Sequence, residues 1–411
     1  MIPKTTTLLS ILLLILTTAC KKSPVEPIIG KDLVLTATEQ QKVTADNAFT
    51  LKLFKATFNS TPDNQNLFIS PLSVSMAIGM TSNGSNGQTL AAIRNTMNFN
   101  GFTEDQVNSY YHTLITELPQ LDPKATVKIA NSIWYANMFT PLPAFLQTNT
   151  TNYNAKIAGA DFKSAATKDL INSWVNEQTN GKITKIVDQI PSDMVMYLIN
   201  AIYFKSTWKD RFDAAKTKKA DFHLSAGGTV QADFMNNDLN CNVGIASDAT
   251  AIELPYGNGK YSMVLVSPKE GTSVKDYVAG LDSVKWKTLM AGLGASHATI
   301  SLPKFKFSYE IKLNDILITL GMANAFSDAA DFTRINATGN LQITEVKHKA
   351  YVDVNEDGTE AAAVTSVGIR ATAIASFSYT FNRPFVFAIR EMKTGLVLFA
   401  GVVNDPTLSG N

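Results

Sequence analysis

Glu356-Asp357-Gly358-Thr359-Glu360-Ala361-Ala362-Ala363 is the stretch that decides the fold, read together with Phe381-Asn382-Arg383-Pro384-Phe385 further along the chain. Ahead of it, Val352 to Asn355 alternates like a half-buried strand, and Gly358 supplies a position where the backbone bends freely. Beyond Gly358 the side chains are small. Laid into a sheet as a strand, this segment would present Thr359, Ala361, Ala363, Thr365, Val367 and Ile369 on one face, all small or β-branched and fit for burial. The other face would carry Glu360, Ala362, Val364, Ser366, Gly368 and Arg370, with both charges toward water. A surface loop has no need of such a division. It suits a segment stored as a loop in one state and inserted as a strand in another, its backbone hydrogen bonds completed only after the switch.

The same residues half-match a calcium loop, Asp353-Val354-Asn355-Glu356-Asp357-Gly358. That loop needs a bidentate carboxylate at its twelfth position, where this chain has Val364, and no helical pattern leads into it. Calcium binding is therefore set aside, and neither a metal site nor a cofactor is expected.

The chain has 411 residues, of which 45% are hydrophobic and 17% charged, as expected of a globular protein with a large core. A net charge of +1 argues against nucleic acid as a partner. Residues 1–20 stand apart: Lys4, an apolar run from Leu8 to Leu16 broken by Ser10, then Thr17-Thr18-Ala19-Cys20. This is the pattern of a secretory signal, too short for a spanning helix. Its end resembles the lipobox of bacterial lipoproteins, which implies lipidation of Cys20; Thr17 departs from the leucine usual there, and plain signal cleavage is the alternative. Residues 21–38, with two prolines, are expected to tether a body spanning 39–411 to the membrane. Cys241 is then the one remaining cysteine, expected to be buried and inert.

Helical spacing is found at Glu39 to Phe58, Ser73 to Thr81, Gln88 to Met97, Glu104 to Leu118, Ser273 to Leu293 and Glu310 to Leu320. Thr126 to Tyr135 and Val195 to Phe204 read as long strands, with short strands from Lys219 to Ser267 and two apolar ones at Phe385 to Arg390 and Leu396 to Val402. Helices first and strands last give an α+β architecture in one large domain. Chemistry of its own is hard to place in this chain. Its four histidines, His112, His223, His297 and His348, have no metal-ligand spacing, and there is no Gly-x-Ser-x-Gly elbow and no phosphate-cradling motif. A membrane-anchored hydrolase therefore lacks a recognisable catalytic group.

The hinge segment and further blocks resemble the serpins, the protease-inhibitor superfamily. The blocks are Asn66 to Ser73, Ile171 to Gly181 followed by Lys182-Ile183, Asn200 to Trp208, Leu302 to Phe305, His348 to Glu360, Phe381 to Ile389 and Val397 to Pro406, in the family's order. The resemblance implies a fold of three β-sheets, eight or nine helices and an exposed reactive-centre loop, here about 356–380. It places Ser70, Ser73, Asn200 and His348 beneath the main sheet as a cluster that must exchange hydrogen bonds when the sheet parts, although Ser70 and Ser73 could equally cap a helix starting near Pro71. Trp208 and the pair Lys304 and Glu356 would form a gate at the top of the sheet.

The implied activity is that of a suicide substrate, with no catalysis of its own. A serine protease attacks a loop carbonyl, and the freed loop inserts into the sheet before water can release the acyl-enzyme. Glu356, Gly358, Thr359, Glu360, Ala361, Ala362 and Ala363 would be the hinge. The family's spacing puts the bait bond at Thr372-Ala373, counting back from Asn382 makes Ala373 the scissile residue, and Arg370 is the alternative bait. Elastase-like or subtilisin-like targets are expected first, trypsin-like ones at Arg370 second, with cysteine proteases a further class. A non-inhibitory carrier, chaperone or structural protein is the alternative within the family, but such members carry bulky, charged or proline residues after the hinge and Thr359 to Val364 has none. Glu104 to Leu118 contains no Lys or Arg, so no polysaccharide activator is expected. The protein is expected to be a monomer, exported and held at the outer membrane, facing the periplasm or the cell surface.

Overall fold

The computed structural model describes residues 30–360 and 377–409. Helix Ala37–Ser60 opens with a reciprocal cap between Thr36 and Glu39 and buries Val43, Phe49, Leu53 and Phe54, the positions its spacing marked. Helix Pro71–Ser82 starts on a Ser70 cap with proline in its first turn, and Glu104–Glu117 on a second reciprocal cap, Thr103 with Gln106. The described residues hold nine α-helices and two hydrogen-bonded sheets. Two of the three expected sheets are joined through the strand Thr229–Ile245, which pairs with Gly294–Pro303 along its middle and with Ala249–Pro255 at its end.

The six-stranded sheet runs, edge to edge, Phe305–Lys312, Lys347–Asn355, Gly358–Thr359, Met196–Thr207, Ala125–Ala136 and Lys156–Ala160. The two long strands expected from their apolar pattern are its centre, paired antiparallel from Ala125↔Ser206 to Tyr135↔Met196. One face packs under helix Ala165–Gln178 through Trp134, Trp174, Val175 and Ile199. The other face joins the main core, where Phe68 stacks on Phe387 and Phe399 at 5.5 and 5.2 Å and meets Phe307 of the six-stranded sheet edge-on at 6.4 Å. Gly401 is needed at that junction, since a Cβ there would stand 2.5 Å from the Leu67 carbonyl oxygen.

Two helical expectations are corrected. Glu310 to Leu320 begins as strand, because Phe305, Phe307 and Tyr309 alternate with exposed Lys306 and Glu310 and pair along Lys347–Asn355; helix survives at Asn314–Leu317, and Gly321 at φ +120° ends the wide turn that follows. Ser273 to Leu293 is two helices, Val274–Ala279 and Ser283–Ala291, with Gly280 at the break. The 21–38 segment is no free spacer over its described part: Leu33 is buried, Asp32 bridges Lys260 and Lys393, and the first helix begins at Ala37. Cys241 is buried, and burial pushes its thiol up to about 11. Among the described residues no helix is long and apolar enough to cross a membrane.

The sequence patterns gave no sign of an ion pair within the first helix. Lys42 and Asp46, one turn apart, are both buried, with the ammonium over the rings of Phe99, Tyr110 and Tyr111 at 4.5, 5.0 and 5.0 Å. Burial drives the Lys42 ammonium below its ordinary range, and Asp46 opposes the shift.

Candidate functional site

The strand Lys347–Asn355 turns back on itself through Glu356 and Asp357, and Gly358–Thr359 returns as a two-residue strand. That short strand pairs on both sides: Gly358 and Thr359 lie opposite Asn355 and Val354 on one flank and opposite Thr207 and Ser206 on the other. Gly358 holds φ +151°, and a Cβ there would fall 2.1 Å from the Ser206 carbonyl oxygen, so no other residue fits without moving the strand.

Thr359 points into the core, 2% exposed, its hydroxyl 2.6 Å from that of Tyr256. Tyr256 stacks on Trp208 at 4.5 Å. Trp208 in turn binds the turn twice, its ring N–H donating to the Asn355 carbonyl at 2.9 Å and its backbone N–H to that of Asp357 at 2.8 Å. Glu356 accepts from Thr217 at 2.8 Å and pairs with Lys304 at 3.1 Å. Burial works against the Glu356 carboxylate, but its own backbone N–H, Thr217 and Lys304 outweigh it and hold the carboxyl below its usual range. The Lys304–Glu356 pair is partly exposed and worth about 0–1 kcal/mol, enough to bias the turn but not to hold the fold.

Below Thr359 the sheet is parted among the described residues. Among the described residues no ladder pairing joins Lys347–Asn355 directly to Met196–Thr207, and a cleft of about 360 Å³ lies lower between them, lined by Ser73, Ile78, Met196, Asn200, Ile343 and His348 among others. Among the described residues these two strands thus face each other unpaired below Gly358–Thr359, and such edges accept an added strand. Of the expected hinge, Glu356, Gly358, Thr359 and Glu360 are in place at this mouth. Ala361, Ala362 and Ala363, the bait residues Arg370, Thr372 and Ala373, and Cys20 lie outside the described residues.

Beneath the sheet, Ser70, Ser73, Asn200 and His348 lie near one another. Ser70 N–H donates to His348 Nε2 at 3.0 Å, and Ser70 Oγ donates to the Leu398 carbonyl at 2.8 Å while capping Ser73 N–H at 3.2 Å. Ser70 therefore caps the helix and hydrogen-bonds to His348 and Leu398 at the same time. Ser73 Oγ reaches the Asn200 backbone carbonyl at 3.4 Å, whereas the Asn200 amide donates to Asn131 at 2.7 Å. Asn131, whose own amide binds the Tyr153 carbonyl at 2.7 Å, escaped the sequence reading. Its signal was a polar residue among the apolar inward positions Val127, Ile129 and Ile133 of its strand.

Because Nε2 of His348 accepts a backbone N–H, the ring is neutral, and burial lowers its pKa to about 4. The folded value lies below the ordinary 6.5, so the unfolded chain binds the extra proton between those values and stability falls as pH drops from 6.5 to 4. The loss from this group reaches about 3 kcal/mol. Urea unfolding at pH 7, 5 and 4 should show this loss, reduced in His348→Gln; equal losses in both proteins would refute the assignment.

A family model described as serpin (serine protease inhibitor) matches residues 44–406. The chain is 32% identical over 369 residues to Iris of Ixodes ricinus, covering 87% of this chain and 97% of that one. It is also 32% identical over 385 residues to leukocyte elastase inhibitor A of Mus musculus, covering 89% of this chain and 100% of the relative. Among solved structures it is similar to the thermophilic serpin tengpin in the native state, with a TM-score of 0.83 and 36% identity over 92% of this chain and 97% of that one.

Proposed function

The chain belongs to the serpin family, which classes it with protease inhibitors rather than enzymes, and from that premise we propose that it is a suicide-substrate inhibitor of serine proteases. The observation that carries the reading is the seated hinge: Gly358–Thr359 already pairs as a strand between Lys347–Asn355 and Met196–Thr207, above a parted sheet. A protease that acylates on the loop frees its N-terminal part, which continues the strand already begun. Each residue that enters completes backbone hydrogen bonds on two open edges, and this is the downhill step that carries the protease away before deacylation.

Elastase-like or subtilisin-like targets are favoured by the small residues at Thr372 and Ala373, and the likeness to a leukocyte elastase inhibitor supports this choice; trypsin-like proteases would use Arg370. The test is to mix the protein with each protease class, run denaturing gels and sequence the released C-terminal peptide. A covalent complex with cleavage at Thr372 or Ala373 is expected, and cleavage without complex or gain in thermal stability would refute it. Export with Cys20 lipidated belongs to the same reading, supported by Lys4, the Leu8 to Leu16 run and Thr17 to Cys20. Incorporation of a labelled fatty acid, lost in Cys20→Ser, is the expected result.

A further inference from the structure

Continued alternation would turn Glu360 toward water, but the short strand ends at Thr359, Glu360 follows at φ +55°, and its side chain is only 3% exposed. The face on which it lands is roofed by the segment after helix Ala165–Gln178, where Asn180 and Gly181 at φ +50° and +80° reverse the chain. Lys182 N–H donates to the Thr179 carbonyl at 3.1 Å and Ile183 N–H to the Thr179 hydroxyl at 3.0 Å, which fixes the backbone of Lys182 over the mouth of the cleft. The Lys182 ammonium stands 3.6 Å from Glu360 Oε2 and 4.7 Å from the centre of the Tyr351 ring. Glu360 Oε2 has no hydrogen-bond partner among the described residues, so Lys182 is the charge that compensates it. The other groups facing the carboxylate are Tyr203 from one strand, which hydrogen-bonds it without supplying a charge, and Tyr351 and the like-charged Asp353 from the other.

We propose that Lys182 is a positioning residue for the hinge, its ammonium holding the Glu360 carboxylate inside the mouth of the parted sheet so that insertion starts from a seated strand end rather than a free loop. The consequence for inhibition rests on the reading above, whereas the seating itself does not. A buried carboxylate with a cation beside it is tolerated; the same carboxylate without the cation is expelled or must take up a proton. Burial already pushes the Glu360 carboxyl up, with Lys182 opposing the shift. A carboxyl raised in the seated state makes seating stronger as pH falls through that raised value, and removing Lys182 moves this dependence to higher pH.

Hydrogen exchange of the whole protein, with no protease present, tests the seating through the Glu360 amide, which donates to the Asp353 carbonyl at 2.8 Å. Lys182→Met should speed its exchange about tenfold at neutral pH, corrected for intrinsic rates, with protection recovering toward acid, while Lys182→Arg stays close to the parent. In a Glu360→Gln background, Lys182→Met should add nothing, because no charge is left to compensate. Exchange unchanged in Lys182→Met, or equally harmed with Glu360→Gln present, overturns the proposal. A parent protein that seats its hinge yet forms no complex with any protease would overturn the inhibitory reading and leave this one standing.

Discussion

Thr359→Arg is expected to abolish the covalent complex and turn the protein into a substrate that elastase-like proteases cleave and leave. Thr359 is the first loop residue on the core-facing side, 2% exposed, with its hydroxyl on Tyr256 and Trp208 stacked behind that ring. An arginine there either carries its guanidinium into an aromatic pocket without a carboxylate or keeps the hinge out of the sheet. The burial costs several kcal/mol. In the proposed mechanism trapping is a race between insertion and deacylation, and about 1.4 kcal/mol on the insertion barrier already shifts that race tenfold. The molar ratio of inhibitor to protease needed for full inhibition should therefore rise at least about tenfold. Thr359→Val, which keeps shape and loses only the hydroxyl contact, should still trap. Denaturing gels that resolve complex from cleaved inhibitor decide the matter, and trapping at parent stoichiometry by Thr359→Arg would sink the insertion mechanism.

The second large effect is on stability. Lys42→Met should lower it by about 3–5 kcal/mol, because Asp46 would remain buried beside Phe99, Tyr110 and Tyr111 without its counter-charge. Adding Asp46→Leu to Lys42→Met should recover most of the loss, since the pair as a whole contributes little once the desolvation of both ions is counted. The first unfolding transition in urea reports both variants. A double variant no more stable than the single one would show that the pair is held by packing alone. The pair joins the first helix to Glu104–Glu117 through Tyr110 and Tyr111, so its effect is on the body and not on the hinge.

How much was legible in the amino-acid order differs by element. The strand ending at the Gly358 turn could be read because its alternation is local, and the capped helices because caps and periodicity act within a few residues. Ser70 and His348 were recovered by resemblance, and their hydrogen bond is present at 3.0 Å. Helical spacing at Glu310 to Leu320 misled, since the pairing of Phe305–Lys312 with Lys347–Asn355 overrode local preference. Tyr256 and Lys182 were invisible as site residues, and Asn131 was marked only as a polar residue at an inward position: each acts on a partner far away in the chain, and no local pattern names that partner.

By itself, then, the sequence determined that a strand ends at Gly358 and is followed by residues small enough to enter a sheet. Tertiary structure alone decided that two hinge residues already sit between Lys347–Asn355 and Met196–Thr207, and that Glu360 is roofed by Lys182 rather than wetted. The physical reason is that side-chain direction follows from backbone geometry residue by residue, whereas what covers a face depends on which distant segment folds over it.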